Sequence, residues 1–236
     1  MASPHWGASG FGTIFEIDPN TCVENILHSF CGEQNCTDGA TPASLIGATG
    51  ALFGTTVNGG TYQLGTAFSI NPKTGAAKVL HAFGTGADGS APVAMIDLSG
   101  TLYGTTEMGG ATGNGTVFSP DEKTGAEKVL YSFCSRQGCI DGSYPLAGLV
   151  NVSGMLYGTT VEGGSSGCNG DGCGAAFSFA PKTRAEKVVY AFCHQKNCTD
   201  GTNPYAGLTN VNGTIYGTTD GGGAHNGGTV FALKSP

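Results

Sequence analysis

The sequence predicts an all-β protein, namely a β-propeller with four blades of four antiparallel strands each. Glycine accounts for 42 of the 236 residues, 39% of the residues are hydrophobic and only 11% are charged. This composition is too apolar for a disordered chain, and the glycines lack the three-residue period of collagen. A fold of many short strands joined by glycine turns explains it, as one domain covering residues 1–236.

An internal repeat supports the propeller. The segments LFGTTVNGG, LYGTTEMGG, LYGTTVEGG and IYGTTDGGG begin at positions 52, 102, 156 and 215, so the repeat recurs after 50, 54 and 59 residues. In the third unit, four runs rich in β-branched and aromatic residues cover 147–150, 155–160, 174–179 and 187–192. Four short strands at such a period are typical of a propeller blade, and no window has the periodicity of a helical solenoid.

Both ends of the chain fall within a blade, whose strands we number first to fourth. The N-terminus supplies a third strand (12–17) and a fourth strand (26–30). The C-terminus supplies the first three strands, at 206–209, 214–219 and 228–233. We therefore expect the N-terminal fourth strand to complete the last blade and close the ring by strand exchange. One third strand is left over, so five blades or a longer repeat array are the alternatives.

Eight of the nine cysteines share one spacing, with four residues between the members of each pair. The pairs are Cys31 and Cys36, Cys134 and Cys139, Cys168 and Cys173, and Cys193 and Cys198. We expect four local disulfides, which indicate an oxidising compartment and a secreted or cell-surface protein. Zinc binding is the less favoured alternative because it needs two converging pairs, usually with CxxC spacing. Cys22 is left without a partner.

The pattern LYGTT..GG...GTVF....G...VLYSF....DG..P.AGL resembles the GloVer tandem repeat of bacterial secreted and surface-anchored proteins. The resemblance covers nearly the whole chain and rests on a specific repeat signature. It implies a propeller fold and an extracellular location. It implies no activity, because the family has none established.

Because the strands are antiparallel, two kinds of loop lie at the same end of the sheets. One kind connects the second strand to the third, and the other connects the fourth strand to the first strand of the next blade. We call this end the loop face. It holds the residues that vary between GTT and GG. It carries nine acids, Glu33, Asp38, Asp88, Glu107, Asp141, Glu162, Asp171, Asp200 and Asp220, against two bases, Arg136 and Lys196. Such a face disfavours nucleic acid and anionic membranes, and it suits cations or neutral sugars.

The candidate ligand-binding residues are those on the loop face that the repeat itself does not require. They are Asn58, Tyr62, Gln63, Glu107, Glu162, Asp220, His225 and His194. The aspartates of the four DGxxP motifs are expected to cap turns instead. The GTT threonines recur in every unit and are expected to pack blade against blade.

Three classes of function follow. The first is a secreted binding module that holds an extracellular ligand, for which we expect carbohydrate. The second is an extracellular glycoside hydrolase or polysaccharide lyase, with catalytic candidates Glu107, Glu162, Asp220 and His225. Glu107 and Glu162 lie in adjacent blades and are the better carboxylate pair. The third is a structural array joined through the extra strand or Cys22.

We expect no cofactor and no metal site, since the five histidines lack ligand spacing and the GxSxG and HExxH motifs are missing. Asn169 and Asp171 give only a weak calcium signal. The expected partner is an extracellular glycan or surface molecule, without nucleic acid and without membrane insertion. The expected state is a monomer or weak dimer.

Overall fold

The computed structural model describes residues 2–3, 9–84, 86–165 and 167–234. These residues form 18 strands in five antiparallel sheets, and the strands of each sheet follow chain order. The fold is therefore all-β, as predicted. We number the sheets one to five along the chain and name the four contacts between consecutive sheets the first to fourth junctions. Among the described residues, no helix is long and apolar enough to cross a membrane.

Three sheets have four strands and the two terminal sheets have three. The first sheet contains β1 (Ala2–Ser3), β2 (Thr13–Ile17) and β3 (Glu24–Ser29). The second contains β4 (Ala40–Ala48), β5 (Ala51–Asn58), β6 (Thr66–Ile70) and β7 (Ala77–Ala82). The third contains β8 (Gly89–Leu98), β9 (Thr101–Gly109), β10 (Thr116–Pro120) and β11 (Glu127–Ser132). The fourth contains β12 (Val150–Val152), β13 (Met155–Thr160), β14 (Ala175–Ala180) and β15 (Ala185–Ala191). The fifth contains β16 (Thr209–Val211), β17 (Thr214–Thr219) and β18 (Thr229–Lys234).

The first strands of the fourth and fifth sheets differ from the prediction. They were expected at 147–150 and 206–209, but β12 and β16 begin at Val150 and Thr209. The segments from Asp141 to Gly154 and from Asp200 to Gly213 are one residue longer than their counterpart from 88 to 100, and both contain an added glycine, Gly148 and Gly207. Glycine weakens a strand, so the pairing starts only after it.

Each junction is built around a pair of phenylalanine rings. The residue after the fourth strand of one sheet packs on the third strand of the next, as in Phe83 with Phe118 and Phe133 with Phe177, each with ring centroids 4.9 Å apart. The same pairing recurs at the first and fourth junctions. Aromatic pairs at this separation stabilise beyond their buried area. The core therefore lies between the sheets.

A glycine allows the third junction to close. Gly115 has φ +92°, and a Cβ there would lie 2.6 Å from Cδ of Pro145 in the next sheet. Any larger side chain would clash with the proline and would occupy a strained backbone region. The glycine of GTVF and the proline of DGxxP thus form one contact.

The outer face of the fifth sheet is exposed. Val230 is 79% exposed, whereas its repeat equivalents Ala67, Val117 and Ala176 are at most 1% exposed because the following sheet covers them. Tyr216 is 41% exposed, whereas its equivalent Tyr157 is 3% exposed. Within the described residues, the array of sheets is therefore open at this end.

The predicted strand exchange is absent from the described residues. β3 pairs with β2 in the first sheet, and β18 pairs only with β17. The extra third strand is β2, which also pairs with the unpredicted strand β1. The turn between β2 and β3 is local, and the Asp18 side chain accepts the backbone N–H of Asn20 there. A local hairpin costs little loop-closure entropy, so β3 stays with its neighbour. The described residues thus form five sheets, and no strand pairing among them closes a ring.

Candidate functional site

The second threonine of each GTT motif holds the variable residues in place. Its hydroxyl donates to the backbone carbonyl two residues later: Thr56 to Asn58 at 2.9 Å, Thr106 to Met108 at 2.8 Å, Thr160 to Glu162 at 3.0 Å and Thr219 to Gly221 at 3.0 Å. These threonines are buried. The side chains that vary are therefore carried by a backbone that does not vary.

In the second and third sheets, the first threonine of the motif joins the sheet to the next one. The hydroxyl of Thr55 donates to the Val93 carbonyl at 3.1 Å, and the hydroxyl of Thr105 donates to the Ala147 carbonyl at 3.0 Å. Both threonines are fully buried. This matches the expectation that the GTT threonines pack one sheet against the next.

The structure adds a second variable position that the sequence analysis missed. It is the residue before the proline of each DGxxP motif, and all four members have left-handed backbone angles: Thr41, Ala91, Tyr144 and Asn203, with φ between 51° and 59°. The backbone N–H of each donates to a carbonyl of the preceding sheet, with distances from 2.8 to 3.0 Å. The two residues between Gly and Pro of the motif read AT, SA, SY and TN in the four repeats, and this difference could have revealed the position from the sequence.

The two variable positions touch each other. Nδ2 of Asn58 donates to the Thr41 hydroxyl at 3.3 Å, within the second sheet. Nδ2 of Asn203 in the fifth sheet donates to the Val161 carbonyl of the fourth sheet at 3.0 Å. The backbone N–H of Asp220 donates to the Asn203 carbonyl at 3.0 Å. We use the name variable row for two sets of positions. They are the two residues between GTT and GG in each repeat, and the residue before the proline of each DGxxP motif, namely Thr41, Ala91, Tyr144 and Asn203.

The structure places the carboxylates of the sequence prediction in different surroundings. Glu107 and Glu162 are half-buried, whereas Asp220 and His225 are exposed. Burial, and secondarily the charge of Asp171, raises the pKa of Glu162. Among the described residues, no hydrogen bond or ion pair joins the four catalytic candidates. The predicted Glu107 and Glu162 pair therefore shares no direct contact.

The other predicted ligand-binding residues lie in loops that follow the second or the fourth strand of a sheet. Tyr62 is 52% exposed, and its ring lies against Gly84, where an added Cβ would come within 2.3 Å of it. Nε2 of Gln63 donates to the carbonyls of Asn35 and Gly60 at 2.6 and 2.9 Å, so this amide group stabilises the loop. His194 is exposed.

The DGxxP aspartates accept hydrogen bonds from the preceding loop. Asp141 accepts the backbone N–H of Ser135 at 2.9 Å and the Tyr131 hydroxyl at 2.7 Å. Burial opposes ionisation of Asp141, but these hydrogen bonds outweigh it and lower the pKa. The Tyr190 and Asp200 pair repeats the arrangement at 2.7 Å. These carboxylates therefore stabilise the loops, as expected.

All four predicted disulfides are present, and Cys22 is an exposed free cysteine. The Cys168–Cys173 disulfide closes a loop between the second and third strands of the fourth sheet. Asn169 and Asp171 of the weak calcium signal lie in this loop, and the Asp171 carbonyl accepts the backbone N–H of Gly163 at 2.8 Å. The disulfides are compatible with an oxidising, extracellular compartment.

Solved structures with similar folds are propeller-like. A chain of a nidogen/laminin complex is 14% identical, with 96% of this chain and 73% of that chain covered and a TM-score of 0.57. TolB from Acinetobacter baumannii is 15% identical, with 95% and 46% covered and a TM-score of 0.54. The computationally designed Ika4 protein is 15% identical, with 88% and 96% covered and a TM-score of 0.50. These likenesses support the fold alone.

A search of curated proteins finds no match. The family model described as the Gloeobacter/Verrucomicrobia repeat matches residues 3–231. The matched region contains every GTT and DGxxP motif, and hence the whole variable row. The chain belongs to the Gloeobacter/Verrucomicrobia repeat family.

Proposed function

We propose that this protein is a secreted binding module whose variable row holds a neutral extracellular carbohydrate. One observation carries the proposal: in the second, fourth and fifth sheets, positions that differ between nearly identical repeats contact one another. Buried threonines fix the backbone beneath them. A scaffold alone gives no reason for variation to be concentrated there.

The chemistry of the row suits sugar hydroxyls. It presents an amide at Asn58, a hydroxyl at Thr41, a phenol at Tyr144 and a carboxylate at Asp220. Such groups donate and accept hydrogen bonds in the mixed pattern that a ring of hydroxyls needs. The half-exposed ring of Tyr62 offers a flat apolar surface for a sugar face.

The charge of the loop face limits the ligand class. Its acids outnumber its bases by nine to two in the sequence. Anionic ligands such as nucleic acid or sulfated glycans would be repelled, whereas uncharged polysaccharides would not. Similar positions in neighbouring sheets would also let one long chain contact several weak sites, so that avidity raises the overall affinity.

A second candidate function is cleavage of the same ligand. Burial raises the pKa of Glu162, and a raised pKa is the property that a general acid needs in glycoside hydrolysis. Glu107, in the adjacent sheet, would be the partner carboxylate. The binding module and the enzyme differ in whether products form.

One experiment separates the two functions. Purified protein is incubated with a panel of neutral and acidic insoluble polysaccharides, and retention and new reducing ends are measured in the same tubes. The variants Asn58→Ala, Tyr144→Ala and Glu162→Gln test the variable row. Glu24→Gln is the matched control, because this exposed glutamate lies at the opposite end of the sheets.

Retention of a neutral polysaccharide without products, reduced at least fivefold by Asn58→Ala or Tyr144→Ala but not by Glu24→Gln, would support the binding module. Products that disappear in Glu162→Gln would establish the enzyme instead. Retention that none of the three row variants changes would refute the assignment to the variable row.

A further inference from the structure

Three side chains that could ligate a metal meet at the second junction. They are His81 on β7, Asp88 in the following loop and Glu127 on β11 of the next sheet. Nε2 of His81 lies 2.9 Å from Oδ2 of Asp88, and the ligand atoms of all three residues lie within 4.8 Å of one another. All three side chains are half-buried, so the group is accessible to an ion from solvent.

The cluster has an excess of negative charge. Oε1 of Glu127 is buried and has no hydrogen-bond partner among the described residues. A buried carboxylate oxygen without a partner is costly. A cation would satisfy it.

The third junction shows how a positive charge occupies the equivalent place. There the corresponding residues are Tyr131, Asp141 and Glu186. Nη2 of Arg136 lies 2.9 Å from Oε2 of Glu186, and the Tyr131 hydroxyl donates to Asp141. The guanidinium thus forms an ion pair with the glutamate that Glu127 resembles.

The second junction has no such arginine. The segment from 83 to 88 is three residues shorter than the one from 133 to 141, and it contains neither arginine nor lysine. It also carries a histidine, His81, where the third junction has Tyr131. Imidazole nitrogen is a strong ligand for zinc and related metals, whereas a neutral phenol is not.

We infer that His81, Asp88 and Glu127 form a site for a divalent transition-metal ion, with Zn²⁺ as the best match. Nε2 of His81 and one carboxylate oxygen from each acid supply three ligands of the type found in open zinc sites, which leave a position for water or a ligand. The ion would take the place of the His81–Asp88 hydrogen bond and neutralise Glu127. It would also join the second and third sheets.

The repeat supplies matched controls. The first junction has the same pair, with Nε2 of His28 3.4 Å from Oδ2 of Asp38, but Ala77 occupies the position of Glu127. It therefore lacks the third ligand. His81→Tyr converts the second junction to the residue that the third junction uses, so this variant is compatible with the fold.

The test is calorimetric titration with Zn²⁺ of chelator-treated full chain carrying Cys22→Ser, which removes the exposed thiol. We expect one site per chain, at least tenfold weaker affinity in His81→Tyr and Glu127→Gln, and no change in His28→Tyr. Ala77→Glu should raise the stoichiometry from one to two. Thermal unfolding in chelator, with equal midpoints for the parent protein and His81→Tyr, confirms that this variant folds.

Equal Zn²⁺ affinity in the parent protein, His81→Tyr and Glu127→Gln would overturn the assignment. The absence of any Zn²⁺ binding by the parent protein would overturn it as well. A parallel titration with Mn²⁺ tests the choice of metal, because tighter Mn²⁺ than Zn²⁺ binding at the same residues would refute zinc as the best match.

Discussion

The same substitution at two equivalent positions tests whether the array of sheets is open. Val117 on β10 and Val230 on β18 occupy the same place in their repeats, but the first is fully buried and the second is 79% exposed. Alanine occupies this place in the second and fourth sheets. Val117→Ala and Val230→Ala therefore change side-chain burial without disturbing the backbone.

The expected costs differ severalfold. Replacing valine by alanine removes two methyl groups, worth about 0.8 kcal/mol each when buried, and a buried site adds a cavity cost. Val117→Ala should therefore lower the free energy of unfolding by about 2 kcal/mol. Val230 is only about one fifth buried in the structure, so the same change should cost about 0.3 kcal/mol.

Urea unfolding followed by circular dichroism measures both values, with the denaturant slope compared to confirm that the transitions are alike. Measurement at several protein concentrations separates folding within one chain from association. A cost for Val230→Ala as large as that for Val117→Ala at every concentration would refute the open array, since something within the chain would then cover β18. A large cost only at high concentration would mean that a second chain covers it.

Three further predictions follow from the contacts within and between sheets. Thr105→Val should destabilise by about 1–3 kcal/mol in thermal or urea unfolding, because it leaves the buried Ala147 carbonyl without its donor; exposed Thr218 is the control, and Thr218→Val should cost less than about 0.5 kcal/mol. Burial raises the pKa of Glu127 from 4.5 to about 7. In the presence of chelator, the stabilising contribution of this residue is therefore complete below pH 4.5 and is lost as the pH rises towards 7. Glu127→Gln should flatten the fall in unfolding free energy over that range, and an unchanged pH profile would contradict this prediction. Thiol titration of the unreduced, unfolded protein should detect one thiol per chain, from Cys22, and a higher count would mean that a predicted disulfide is not formed.

Much of the fold could be predicted because the same pattern of strands and turns recurs in several units of the sequence. The second strands at 155–160 and 214–219 agree with β13 and β17, and the disulfide pairs are those that the spacing indicated. The prediction failed where a choice between partners mattered. Counting strands could not show that β3 remains with β2, because a fourth strand fits equally well beside any third strand of the same repeat.

The candidate site was only half predictable for a similar reason. The variable letters after GTT stand out because the surrounding letters are constant. The variable letters of DGxxP were hidden by a motif that was assigned entirely to turn formation. Their left-handed backbone places Thr41 and Asn203 beside the other variable positions, and this contact arises from pairing between strands that the sequence does not specify residue by residue.

The junctions also show how one repeat accommodates a buried acid in different ways. Where the fourth strand carries Glu186, the preceding loop supplies Arg136. Where it carries Ala77, the acid is missing and only the His28–Asp38 pair remains. Of these three junctions, the second is the one that has the acid, Glu127, together with a histidine and a loop without arginine or lysine. A packing requirement would favour the same solution at every junction, whereas the three solutions differ in charge. The difference is explained if the cation at the second junction comes from solvent rather than from the chain.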